Sequence, residues 1–234
     1  MMRGSTHMIA VALAVTACAP DRNEAMAELM PCADVVFEPG FFRANECRIE
    51  ANGEALHVSY AGTAEGAIAG AVTLELIGER GNVRQVMQEP DVAQYLAPRV
   101  HDVDGDGRAD ILVGRSTGNV NTVSGVWIFN GERGVYARVG EINGVAVTRT
   151  EEGYVAVASR SSASTWNVAF SALDASGLKL VASVDVEGVQ RADGALMSRC
   201  LLSDAPGIAE LQLAPADAQA KFCAEPAAVG VLGP

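Results

Sequence analysis

Short runs of alternating apolar and polar residues organise most of this chain. Leu56-His57-Val58-Ser59-Tyr60 alternates directly after the turn signal Asn52-Gly53. From residue 70 to 77, Val72, Leu74 and Leu76 fall on one face, with Thr73 and Glu75 on the other. A period of two turns successive side chains to opposite faces, so each run predicts a strand with one buried side. Gly81-Asn82 then predicts a turn into a return strand over residues 83–86. Residues 90–98 break the pattern. Val92, Tyr95 and Leu96 have helical spacing there and predict a single helical turn or a compact loop. Ile111-Leu112-Val113 is a short apolar run, and residues 123–130 form a strong strand signal around Val126, Trp127, Ile128 and Phe129. Asn130-Gly131 predicts a hairpin into residues 135–139. Residues 154–159 alternate again, and residues 166–173 and 178–186 read as two strands joined by Asp174-Ala175-Ser176-Gly177.

The sum is nine or ten short strands with turns at near-regular spacing. That pattern predicts an all-β fold: an antiparallel sandwich, a barrel or a propeller-like domain. Helices are few, the best candidate being a short C-terminal one over residues 215–222. The expected organisation is a leader over residues 1–17, a polar, Ala-rich tether over 18–30, one β-rich domain over 31–224, and a loose tail over 225–234.

Composition narrows the partners. The chain has 234 residues, 49% of them hydrophobic, and a formal net charge of -12. This is globular composition, and the deficit of Lys and Arg argues against nucleic acid. Cations or a basic protein surface fit the charge, as does solubility alone. At the N-terminus, Arg3 precedes a nearly unbroken run of small and apolar residues from Met8 to Ala17. A basic start followed by about 7–15 apolar residues is the layout of a secretory signal. A bilayer span needs about 20 residues, and no segment here is that long and apolar.

Val15-Thr16-Ala17-Cys18 resembles the lipobox of bacterial lipoproteins, with Val in place of the commoner Leu. The resemblance implies cleavage before Cys18 and a diacylglyceryl group on its thiol. Ala19 follows rather than Asp, which implies the outer membrane. Plain secretion with cleavage near Ala17 or Pro20 is the competing expectation. Cys32, Cys47, Cys200 and Cys223 then remain, an even number for an oxidising compartment. Of the three pairings open to four cysteines, the local pairs Cys32–Cys47 and Cys200–Cys223 are favoured. Each closes a short loop, worth on the order of 3 kcal/mol. No two cysteines sit at zinc-ligand spacing.

The chemistry concentrates in His101-Asp102-Val103-Asp104-Gly105-Asp106-Gly107-Arg108-Ala109-Asp110. Asp102, Asp104, Asp106 and Asp110 stand at relative positions 1, 3, 5 and 9. Gly107 sits at position 6, where a sharp bend is needed. A hard cation takes six to eight oxygens at about 2.3–2.6 Å, which points to Ca²⁺. Arg108 is expected to offer its backbone carbonyl at position 7, and Asp110 to close the site directly or through water. Position 12 is Val113, not Glu, so this is not an EF-hand; a solvated acidic turn is the plain alternative.

The run Asp102 to Val113 resembles the loops of FG-GAP and VCBS-type repeats, D-x-[DN]-x-D-G-x-x-D followed by a short apolar strand. That family implies a structural Ca²⁺ between β elements. The loop occurs once here, with no second copy at a fixed period. A further resemblance spans about residues 95–185: acidic loop, a polar segment over 114–124, the strand Val126-Trp127-Ile128-Phe129, a turn, and Val135-Tyr136. This order is similar to the periplasmic immunity lipoproteins of Xanthomonas-type type IV secretion, which inhibit a lysozyme-like effector. It implies that Arg115, Ser116, Asn119 and Asn121 contact a partner; an ordinary surface hairpin is the alternative.

An enzyme is not expected. His57 lies in a strand pattern, His101 adjoins the acidic loop, and Glu151-Glu152 reads as a turn. Trp127 and Trp166 read as core. No nucleophile elbow, zinc-protease or phosphate-loop motif occurs. The expected function is a calcium-stabilised, lipid-anchored protein-binding domain of the bacterial cell envelope, facing the periplasm, with inhibition of a peptidoglycan hydrolase as its narrower form. A structural FG-GAP/VCBS-type envelope module without inhibitory role is the alternative.

Overall fold

A computed structural model describes residues 22–35, 46–61, 70–93, 96–190 and 196–232. Among these residues the chain forms thirteen strands in three antiparallel sheets, with short helices at both ends. The first sheet is a meander of β1 (Glu46–Ala51), β2 (Glu54–Ala61), β3 (Gly70–Ile77) and β4 (Val83–Val92). The second repeats that plan with β5 (Arg99–His101), β6 (Asp110–Thr117), β7 (Thr122–Asn130) and β8 (Val135–Gly144). The third runs from β9 (Ala146–Arg149) through β10 (Val155–Arg160), β11 (Thr165–Asp174) and β12 (Gly177–Gln190) to β13 (Leu196–Asp204). The sheets do not close into a barrel.

The sheets stack in chain order. Leu56, Val58, Val72, Leu74 and Met87 of the first pack against Ile111, Val113 and Trp127 of the second. Leu112, Val126 and Ile142 leave the other face of the second sheet and meet Val155 and Val157 of the third. The far face of the third, with Val168, Phe170 and Val184, is covered by Ala218 and Phe222 of α2 (Pro215–Cys223) and Ala228 of α3 (Pro226–Val229). The middle sheet is therefore buried on both sides. This explains why Ile111-Leu112-Val113 is apolar without a break while the outer strands alternate.

A charged bridge crosses the first interface. Glu89 of β4 is fully buried. Its Oε1 accepts from Trp127 Nε1 at 2.8 Å and from Arg138 Nε at 2.7 Å, and its Oε2 from Arg138 Nη2 at 3.2 Å. Arg115 Nε stands 3.9 Å from the same carboxylate and also pairs with Glu141. Gly125 makes this possible, because a Cβ there would overlap the Glu89 carboxylate.

Both favoured disulfides form. Cys32–Cys47 joins an N-terminal 3-10 turn to β1 with Cα atoms 5.0 Å apart, and Cys200–Cys223 joins β13 to α2 at 5.8 Å. The predicted C-terminal helix is α2, one residue longer than expected.

Other expectations are corrected. The helical turn or compact loop expected from Pro90 does not start there, because β4 continues through Pro90 to Val92. As the last strand of its sheet, β4 tolerates a residue without an N–H. A register shift falls at this point, and Asp91 adopts φ 55°. Val92 consequently joins the core. Tyr95 lies outside the described residues. Residues 226–232 were expected in a loose tail but form α3 and a 3-10 turn, with Val231 and Leu232 against the third core. In the expected tether, α1 (Arg22–Glu28) buries Met26.

Gly125→Ala should lower stability by about 2–4 kcal/mol, since the new methyl displaces a carboxylate held by Arg138 and Trp127. Gly118→Ala, at an open hairpin tip, should stay within about 0.5 kcal/mol. Urea denaturation of both variants measures the contrast.

Candidate metal centre

The acidic loop connects β5 to β6 and is fixed to the fold at several points. Val103 is buried and anchors its first turn. Asp110, the first residue of β6, is fully buried. Its Oδ2 accepts the Val103 N–H at 2.8 Å, and its Oδ1 accepts the Phe129 N–H of β7 at 2.9 Å. Asn52, at the β1–β2 turn with φ 55°, clamps the other side. Its Oδ1 accepts the Ala109 N–H at 2.8 Å while its Nδ2 donates to the Ala109 carbonyl at 2.8 Å and to the Tyr136 hydroxyl at 3.2 Å. The Arg108 side chain lies over Gly131 in the β7–β8 turn, and Arg149 of β9 lies over Gly105.

Within this frame Asp102, Asp104 and Asp106 converge. Each can place one carboxylate oxygen within 4.8 Å of the others. Oxygens around one Ca²⁺ are separated by no more than about 5 Å, twice the ion–oxygen distance. The donor set is hard and anionic, and it fits that ion. The same carboxylates also order the loop. Asp102 accepts the Gly105 N–H at 2.7 Å and the Gly107 N–H at 3.1 Å. Asp104 accepts from Asp106 N at 3.1 Å, and Asp106 accepts from Arg108 N at 2.8 Å. A carboxylate oxygen keeps a second lone pair after accepting one such bond. Gly105 and Gly107 take φ of 72° and 81°, which lets the chain fold back over its own carboxylates.

The expected ligands thus divide by burial. Asp102, Asp104 and Asp106 come together in the part-exposed loop. Asp110 is buried beside Asp104, near enough for the two charges to interact, and accepts the Val103 and Phe129 N–H groups. The Arg108 side chain points to the neighbouring turn, its Nε 4.0 Å from Asp106 Oδ2. Charge and burial press on the carboxyls. Burial pushes Asp110 up to about 6, against the lowering effect of the Phe129 and Val103 N–H bonds. Asp104 is raised by burial and by the neighbouring Asp106 and Asp102, and Arg149 acts the other way.

The expected partner residues also divide. Arg115 donates to the Pro90 carbonyl at 3.2 Å and pairs with Glu141, so it braces the first interface. Asn121 is bonded to the Arg160 backbone through its Nδ2 at 3.0 Å and its Oδ1 at 2.8 Å. Ser116 is half-buried. Asn119 is exposed at the hairpin tip, beside an exposed Val120. Cys18 lies outside the described residues. His57 sits between Glu75 at 3.2 Å and Glu46 at 3.3 Å.

Asn52 and Arg149 are the site residues that sequence reasoning did not single out. Asn52 carried a signal, as the first half of Asn-Gly, but its side-chain bonds span 57 positions. Arg149 carried none.

These features describe a multi-sheet antiparallel β protein with one acidic loop of cation-binding composition. The chain matches no protein-family model and no curated protein. Among solved structures it is similar to one described as a Xanthomonas type IV secretion system related protein, at 12% identity and a TM-score of 0.44. The similarity covers 69% of this chain and 90% of that one. At that level it defines neither a family nor a role.

The raised Asp110 carboxyl sets a direction for pH dependence. Without a cation, the folded chain holds this proton more tightly than the unfolded chain between pH 3.8 and about 6. Stability in chelator should therefore rise as pH falls through that window, by on the order of 3 kcal/mol from this group. Asp110→Asn should flatten the slope. The urea midpoint, followed from pH 7 down to about pH 3.5 so that the whole window is crossed, reads both.

Proposed function

We propose that this chain is a calcium-stabilised, lipid-anchored domain of the bacterial cell envelope that binds another protein, with inhibition of a peptidoglycan hydrolase as the narrower form. The convergence of Asp102, Asp104 and Asp106 in a loop already fixed by Asn52 and Asp110 is the observation that carries the calcium part. Three carboxylates at that separation repel one another, and a divalent cation removes the repulsion. The ion's part here is structural. It relieves charge in a loop that leads directly into β6, the strand with both faces buried.

The envelope part rests on the resemblance of residues 15–18 to a lipobox and on the two disulfides, which suit an oxidising compartment. The protein-binding part rests on the absence of enzyme motifs and on the exposed hairpin tip at Asn119 and Val120. A cleft with catalytic carboxylates is the target that a rigid polar hairpin suits. One observation favours the second reading, a structural module without inhibitory role. Arg115 and Asn121, both half-buried, already hold partners within the chain, which leaves Asn119 the most exposed of the four residues.

Two measurements test the proposal. Thermal melting with excess Ca²⁺ should exceed melting in chelator by about 5–10 °C, as a few kcal/mol of linked binding gives in a chain of this size. Asp104→Asn with Asp106→Asn should remove the difference; coincident wild-type curves would rule the ion out. Cys18→Ser should move the protein from the membrane fraction to the soluble fraction, and retention at the membrane would rule out lipidation.

A further inference from the structure

The edge strands β1, β5 and β9 come together on one side of the stacked sheets. A groove of about 670 Å³ lies between β1 and β5, lined by Ile49, Ala97, Pro98 and Val100 together with the ion pair Arg48–Glu50. A second of about 250 Å³ lies between β5 and β9, lined by Arg99, His101, Leu112 and Val147. Arg99 and Val100 border both. Among the described residues no strand pairs with the outer edge of β5.

Register decides which side chain faces which groove. Val100 is opposite Ile111, and Ile111 belongs to the interface with the first sheet. Arg99 is opposite Leu112, which belongs to the interface with the third. Cross-strand partners share a face. Val100, 45% exposed, therefore faces the apolar β1–β5 groove, and Arg99 and His101 face the β5–β9 groove. Among the described residues Arg99 has no ion-pair partner, although the chain carries a net charge of -12.

We propose that the β5 edge receives an extended segment of a partner protein in which apolar and acidic residues alternate. An added strand sends successive side chains to opposite faces of the sheet. One set fills the apolar groove beside Val100, and the other meets Arg99 and His101 across the second groove. The outer backbone edge of β5, unpaired among the described residues, supplies the hydrogen bonds, and the two grooves supply selectivity. This inference rests on the protein-binding reading and adds a second surface to it, distinct from the hairpin tip.

The test uses the full chain and a fluorescein-labelled peptide of about ten residues alternating Val and Glu, with a Val–Lys peptide as comparison. Fluorescence anisotropy should show saturable binding of the first peptide and none of the second. Arg99→Glu should weaken binding about tenfold or more, and Arg99→Lys should retain most of it. Amide exchange at residues 99–101 should slow in the complex. Failure of the Val–Glu peptide to saturate, or equal binding by Arg99→Glu, overturns the proposal. Either failure beside an intact calcium-dependent melt removes β5 as the docking edge and leaves the earlier reading standing.

Discussion

The central strands of the middle sheet, β6 and β7, are packed on both faces, and most of the molecule follows from that constraint. A sheet buried on both sides must be apolar on both sides or satisfy each polar group from within. β6 does both. Ile111, Leu112 and Val113 fill the two interfaces in alternation, and Asp110, fully buried at the strand's start, spends its carboxylate on two backbone N–H groups. Glu89 meets the same demand from the neighbouring sheet, with Trp127 and Arg138 as donors and Gly125 leaving the room. Removing one partner of such a set costs more than the set contributes, because the other charge stays buried.

That constraint also explains the acidic loop. Asp110 joins Val103, inside the loop, to Phe129, on the adjacent strand, so the loop inherits the rigidity of the sheet. Asn52 adds a second clamp from the first sheet, and Arg149 approaches from the third. All three sheets thus contribute to the surroundings of one loop. A cation held by Asp102, Asp104 and Asp106 would act on the place where they meet.

The outer layers solve a different problem. The first sheet covers one face of the middle sheet. The third covers the other and then needs a cover of its own, which α2 and α3 provide through Phe222 and Ala228. Cys200–Cys223 ties α2 to β13 and keeps that cover in place. The edges of the stack remain, and on one side they leave grooves where neighbouring sheets diverge.

The alternating runs around Leu56 and Val72 determined their strands locally, because each buries one side and leaves the other partly in water. The Asp-x-Asp-x-Asp-Gly spacing determined the acidic loop, since position alone turns those carboxylates inward. The local disulfide pairs were legible for a similar reason, as each closes a short span. β1, β5, β9 and β13 were not legible: Cys47, Ala51 and Ala146 give little contrast between faces in β1 and β9, and β5 is three residues long. Tertiary structure alone decided the extension of β4 past Pro90, which depends on its being an edge strand. It alone gave Asp110 its bond to the neighbouring strand, since Phe129 is distant in the chain. It alone gave the half-buried Arg115 and Asn121 their bonding partners, because Glu141 and Arg160 are distant in the chain. Spacing fixes what nearby residues do together, and only the stacking of the sheets fixes what distant ones do.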